Sequence, residues 1–175
     1  DTMSSLETKK IEIDQGMIHS GYYKRFQRGI YTSIIEILSQ TNFSKVICIG
    51  HSLGGVMASL AGIYLNRDFG FKVEVKTYGS PLWGNCQIKK SLEKRKNIKI
   101  TNYINVSDPV IYKPRDRYVR IGKVISMKID TGNDNVNHGI KVYRELVIGN
   151  KDYRHPKRIH RFDEVISRKI MDLLS

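Results

Sequence analysis

The sequence predicts an α/β fold with a mainly parallel sheet, and three observations carry that reading. The strand-type run Val46, Ile47, Cys48, Ile49 passes through GHSLGG at residues 50–55 into a helical stripe. Segments with apolar residues every three or four positions alternate with segments in which every second residue is apolar. The elements follow one another as strand, helix, strand, helix, strand, the order that lays neighbouring strands parallel.

Each element has its own signal. Residues 1–17 are polar and mixed and are assigned to no element. Tyr23, Phe26, Ile30, Ile34, Ile37 and Leu38 form one stripe, so the spacing predicts a helix over 22–40. Residues 41–45 turn the chain into a strand at 46–50. Leu53, Val56, Met57, Leu60, Ala61 and Tyr64 mark the face of a helix over 53–66, which stops within 66–70. Phe71, Val73, Val75 and Thr77 alternate with Lys72, Glu74 and Lys76, a strand with one drier face, ended by Gly79-Ser80-Pro81. A short basic helix over 84–96 and a third strand over 98–106 follow. A loop carries Pro109 and Pro114, and 118–121 with 124–129 reads as a hairpin about Gly122-Lys123. Residues 130–137 form a polar loop, and a helix spans 138–147. Phe162, Val165, Ile166, Ile170, Leu173 and Leu174 predict a terminal amphipathic helix with Asp163 and Glu164 at its favourable end. The expectation is one domain over 1–175, with 151–175 a basic tail ending in that helix.

Composition bounds the function. With 175 residues, 40% hydrophobic and 27% charged, the chain can bury a core and is globular. No apolar run reaches the length of a membrane span, and no secretory signal pattern follows Asp1, which leaves the compartment open. Cys48 reads as a core residue and Cys86 as structural; neither has metal-ligand spacing. The formal charge of +13 concentrates at 89–99, 113–120 and 151–161. A solvated lysine-rich surface explains it most simply, and attraction to an anionic membrane or lipid interface is the functional reading. Nucleic acid is disfavoured, because no zinc spacing or RNA-binding signature accompanies the charge.

The chemistry centres on residues 50–55. Gly-X-Ser-X-Gly between a buried strand and a helix is a nucleophile elbow, which holds the serine on a sharp turn at the sheet end. Gly50 and Gly54 are expected where the two backbones come close, with His51 and Gly55 completing the turn. Leu53 N–H, at the helix start, points where an oxyanion would form. Ser52 then needs a base, and the base an orienting acid. In the elbow's usual chain order the acid follows a later strand and the histidine comes last. Asp108 follows the third strand directly, with Asp130 and Asp134 as competitors, and a turn-forming role before Pro109 is the plain alternative for Asp108. Of five histidines, His19 and His51 precede the acid. His138 opens a helix out of a polar loop and is favoured over His155 and His160, which lie among Lys and Arg.

Several ordered segments together resemble the class 3 lipases, α/β-hydrolases that include fungal triacylglycerol lipases. They are Ile18-His19-Ser20-Gly21-Tyr22, the elbow itself, Thr77-Tyr78-Gly79-Ser80-Pro81 with Gly84-Asn85, and Asn105-Val106-Ser107-Asp108-Pro109-Val110. Residues 118–124 and His138 with Tyr143 continue the likeness, which runs from about 18 to 147. It implies a three-layer α/β-hydrolase sandwich, with Ser52 as nucleophile, Asp108 as acid and His138 as base. The family's N-terminal strand, which ends Arg-Gly-Thr or Arg-Gly-Ser and supplies the second oxyanion donor, has no counterpart in this sequence. The resemblance therefore implies an N-terminally truncated sheet with an open upstream edge. It carries over Leu53 N–H alone, with Thr2 and Ser4 as candidate stand-ins. The segment from Lys151 onward matches nothing in the family. The function so implied is lipase-type hydrolysis of acyl esters without metal or organic cofactor, the substrate a lipid or other acyl ester. The alternative is a truncated hydrolase acting as a non-catalytic lipid-surface or protein-binding module.

Overall fold

A computed structural model of the chain describes residues 10–13, 16–38, 43–114 and 117–148. The predicted terminal helix, His155, His160, Thr2 and Ser4 lie outside them. Strands β3 (Lys45–His51), β4 (Lys72–Tyr78), β5 (Ile98–Asn105) and β6 (Lys123–Met127) form one sheet in sequential order, with every pair parallel. Its register brings Cys48 beside Val75 and Val75 beside Ile100, so these three share a face. Burial pushes the Cys48 thiol up to about 12, as its assignment to the core requires.

Helix α3 (Leu53–Phe69) covers that face. Its residues 55–65 are all buried, the pattern of a helix enclosed on every side rather than one with a solvent stripe. Gly62 lets it lie close to the sheet, since a Cβ there would meet Val75 Cγ2 at 2.5 Å. The helix ends on Gly70 in the left-handed region (φ 70°), whose N–H returns to Asn66 O. On its outer side lie α1 (Ser20–Arg25), a π-helical turn (Phe26–Ile30) and α2 (Tyr31–Leu38), through Phe26, Tyr31 and Tyr64 rings 5.1–5.7 Å apart. The helix expected over 22–40 is thus interrupted by the π turn, which contains Gly29, the weakest helix former of the stretch.

Upstream, β1 (Lys10–Ile13) and β2 (Gly16–His19) form an antiparallel hairpin where composition assigned no element. Helix α4 (Cys86–Glu93) is capped by Asn85, whose Oδ1 accepts both Ile88 N–H and Met17 N–H and so ties α4 to β2. Cys86 is exposed at the start of α4 and is not part of a disulfide. The one-turn α5 (Asp134–Asn137) occupies the end of the predicted polar loop, and α6 (Ile140–Ile148) packs on Tyr78, Met127 and Ile129 beneath the opposite face of the sheet.

The hairpin predicted about Gly122-Lys123 does not form. Residue Val119 instead bridges Gly84, donating to its carbonyl at 2.8 Å, and β6 pairs with β5 in parallel. Two features impose this path. At Gly122 (φ 92°) the chain presses against Ile100 so closely that a Cβ would lie 2.5 Å from Ile100 O. The buried Asn102 donates from Nδ2 to Ile121 O at 2.7 Å and to Lys123 O at 3.3 Å, while its Oδ1 accepts Thr77 Oγ1 at 2.9 Å. One side chain thereby joins β4, β5 and the entry to β6, a long-range constraint that overrides local turn preference. Replacing it by the isosteric Asn102→Leu strands a buried hydroxyl and a carbonyl, each costing about 1–3 kcal/mol. Urea unfolding of Asn102→Leu should show a loss of about 2–6 kcal/mol on that account.

Candidate active site

Ser52 sits between β3 and α3 with φ 54° and ψ −127°, a backbone conformation that side chains rarely adopt. Such strain costs of order 1–3 kcal/mol and survives only where its surroundings over-determine it. Here Ser52 N–H donates to Tyr78 O at 2.9 Å and Gly55 N–H donates to Ser52 O at 2.9 Å, fixing both sides of the turn. The glycines divide differently from expectation. A Cβ on Gly50 would lie 2.0 Å from Gly54 O, and one on Gly55 would lie 2.8 Å from Ser80 Cβ. A Cβ on Gly54 would meet nothing within 4 Å. The crowding at Gly54 is of its carbonyl, not of its side-chain position. Leu53 opens α3, so its N–H has no partner one helical turn back.

Asp108 follows β5 and is fully buried. Its two oxygens divide the work. Oδ1 accepts Val110 N–H at 2.9 Å and caps the 3₁₀ turn Pro109–Tyr112, so the turn-forming role is real. Oδ2 accepts from His138 Nδ1 at 2.7 Å and from Tyr143 OH at 2.6 Å. Burial pushes the carboxyl up, and the hydrogen bonds from His138, Tyr143 and Val110 outweigh it and hold the carboxyl below its usual range. With Nδ1–H given to the carboxylate, His138 Nε2 faces Ser52 Oγ at 2.7 Å and is free to accept its proton. Ser52, His138 and Asp108 thus form one hydrogen-bonded line.

The competing acids stand elsewhere. Asp130 accepts Gly132 N–H and the Asn137 amide in an exposed turn, and Asp134 stands in the first turn of α5. Four residues that the sequence reading gave no role hold the line in place. Tyr143, buried on α6, reaches Asp108 while its oxygen accepts Asn105 N–H at 3.2 Å. Asn105 donates to Ile129 O and Asn137 O, and Asn137 donates to Ser107 O, lacing the loop that bears His138 to the end of β5. Arg120 donates to Ser80 O and Ile111 O, joining the loop after β4 to the 3₁₀ turn. Only the runs Asn-Val-Ser-Asp and His-Gly-Ile-Lys-Val-Tyr hinted at Asn105 and Tyr143. Among the described residues no group of three or more His, Cys, Asp or Glu side chains is placed to hold a metal ion.

A sequence model described as Lipase (class 3) matches residues 1–117, two thirds of the chain, and so includes both Ser52 and Asp108. The chain belongs to the class 3 lipase family. This lipase-family chain is 34% identical over 71 residues to secreted mono- and diacylglycerol lipase 1 of Fusarium solani, a match covering 39% of this chain and 21% of that one. Its fold is that of solved fungal lipases. A lipase from Rhizopus microsporus var. chinensis superposes with TM-score 0.62 at 22% identity, over 74% of this chain and 49% of that one. Lipase II of Rhizopus niveus gives 0.62 at 22%, over 75% and 54%. A triacylglycerol lipase from Penicillium expansum gives 0.60 at 17%, over 73% and 55%. The chain therefore spans about half the length of these structures, and the sheet is of the α/β-hydrolase type.

Two outcomes follow from this geometry. Gly54→Ala should leave stability within about 1 kcal/mol of the parent, since it adds a Cβ in open space near a helix start. Gly50→Ala should cost about 3 kcal/mol or more, because strand and helix must separate, and denaturant titration of both reads the contrast. Tyr143→Phe removes a hydrogen bond to a buried carboxylate, worth about 1.5–3 kcal/mol at neutral pH. Because Asp108 is depressed in the folded state, its contribution is present above the unfolded value near pH 4 and is lost as pH falls through the folded one. The Tyr143→Phe deficit in urea titrations should accordingly shrink below about pH 4.

Proposed function

We propose that this chain carries the catalytic line of a lipase-type carboxylic ester hydrolase. Ser52 Oγ attacks the acyl carbonyl as its proton passes to His138 Nε2. Asp108 holds the imidazole in the Nδ1–H tautomer and stabilises the cation that forms. Leu53 N–H receives the oxyanion at the start of α3. Collapse of the tetrahedral species transfers the proton from His138 to the leaving alcohol and leaves an acyl-serine, which water then cleaves by the same route reversed. The observation that carries this reading is the pair of 2.7 Å contacts made by the two nitrogens of His138, one to each partner.

The surroundings support a neutral, apolar acyl ester as substrate. Val106, Tyr112, Val136 and Ile140 are exposed on the segments that flank Asp108 and His138. The cations of 89–99 lie instead on α4 and the entry to β5, at the opposite end of the strands from Ser52. Attraction of an anionic interface to that end would turn the site away from it.

Labelling by a fluorophosphonate probe tests the assignment. The chain should label, and folded Ser52→Ala and His138→Ala should not, with p-nitrophenyl ester hydrolysis falling at least about 10³-fold in each. The double variant His155→Ala/His160→Ala should label normally. Undiminished labelling in Ser52→Ala removes the nucleophile from this role. A folded parent chain that neither labels nor hydrolyses favours the binding-module reading.

A further inference from the structure

The elbow residue His51 has no part in the chemistry just described, yet its side chain is in contact with the base. Its Nε2 lies 2.8 Å from the backbone oxygen of His138, 87 residues away. A carbonyl only accepts, so Nε2 carries the proton and donates. The two imidazole rings lie 4.9 Å apart and tilted by 32°, and the Tyr143 ring meets His51 edge-on at 5.6 Å.

We propose that His51 is the positioning residue that fixes the backbone of His138 to the strand carrying the nucleophile. The inference rests on the reading of Ser52 and His138 as a reacting pair. His138 lies at the end of the one-turn α5, outside regular secondary structure, with its own N–H bonded to Asp134 O. Asp108 sets the tautomer and the rotation of its ring. It does not set how far the loop stands from β3. Asn105 and Asn137 tie that loop to β5. The His51 bond ties it to β3, one residue from Ser52. His138 is thereby held to consecutive residues at two points, by its ring to Ser52 and by its carbonyl to His51. A displacement of about 1 Å in such a pair can cost about a hundredfold in rate. A neutral group suits the position, since a cation beside His138 would oppose the imidazolium formed in each transfer. Burial lowers the pKa of His51 and favours its neutral form.

The bond demands a donor at a definite reach. Gln places its amide nitrogen as many bonds from Cβ as His places Nε2. Asn places its amide nitrogen one bond short, and Phe keeps a ring with no donor. The test measures kcat and KM on a soluble p-nitrophenyl ester, amide hydrogen exchange over residues 137–143, and thermal melting, for the parent chain, His51→Gln, His51→Asn and His51→Phe. Asn and Phe should lower kcat by between about tenfold and a hundredfold with KM within about twofold, and should speed exchange in the His138 loop. Gln should stay within about threefold of the parent in both. If Phe fails to fold, the comparison of Gln with Asn decides. Equal behaviour of Gln and Asn, or unchanged kcat and exchange in a folded Phe variant, overturns the proposal. If the parent itself is inactive, the hydrolase reading fails and the exchange arm still decides the role of His51: faster exchange in Asn than in Gln upholds it, and equal exchange refutes it.

Discussion

The contact between Gly50 and the carbonyl of Gly54 is the constraint on which the rest of this structure depends. Strand and helix meet there so closely that the chain must reverse within one residue, and Ser52 takes a positive φ as a result. The strain is held by two backbone hydrogen bonds and by the packing of α3, whose central residues are buried on all sides. Remove the close approach and the turn relaxes, and the serine no longer stands out from the sheet end. The elbow is therefore a tertiary device with a local signature. Its geometry is specified by glycines, and its cost is offset by a core several residues away.

A second constraint acts at the end of β5. Asp108, Asn105, Asn137 and Tyr143 are buried polar side chains, and burial without partners would cost more than the fold can spare. Each has its partners. The Asn side chains bond the backbone of the loop before His138, and the Tyr hydroxyl spans from the Asn105 amide to the Asp108 carboxylate. A satisfied network of this kind in a low-dielectric interior is stiff, because moving one member orphans another. It gives a loop without long secondary structure the positional definition of a strand end.

The two faces of the sheet are unequal. α3 closes one along its length. On the other, among the described residues, α6 packs at the end that holds the site, and Ile49 is 48% exposed. Among the described residues β3 pairs with β4 alone. Ser52, His138 and Asp108 all come from one end of the strands. Their mutual geometry depends on β3, β5 and the loop before α6.

Much of the fold was legible in the sequence because its signals are local. Period-2 alternation marked β4 and β5, an unbroken apolar run marked β3, a 3.6 period marked the principal helices, and glycine spacing marked the elbow; β6 was read only as one arm of a hairpin. The expected order serine, acid, histidine came from the usual chain order of such elbows. The sequence favoured Asp108 over Asp130 and Asp134 by position and resemblance alone, read a hairpin at 118–129 and treated Gly50 and Gly54 alike. Tertiary structure decided these points. The hydrogen bonds that select Asp108, place His138 and engage His51 and Tyr143 join residues 30 to 87 positions apart. Whether such groups meet depends on where each strand ends and how the sheet twists, which no local window of sequence contains. The same holds for Asn102, whose amide selects a parallel β6 over a turn that the local residues favour. The sequence determined which groups the chain can bring to a reaction; packing determined which of them touch.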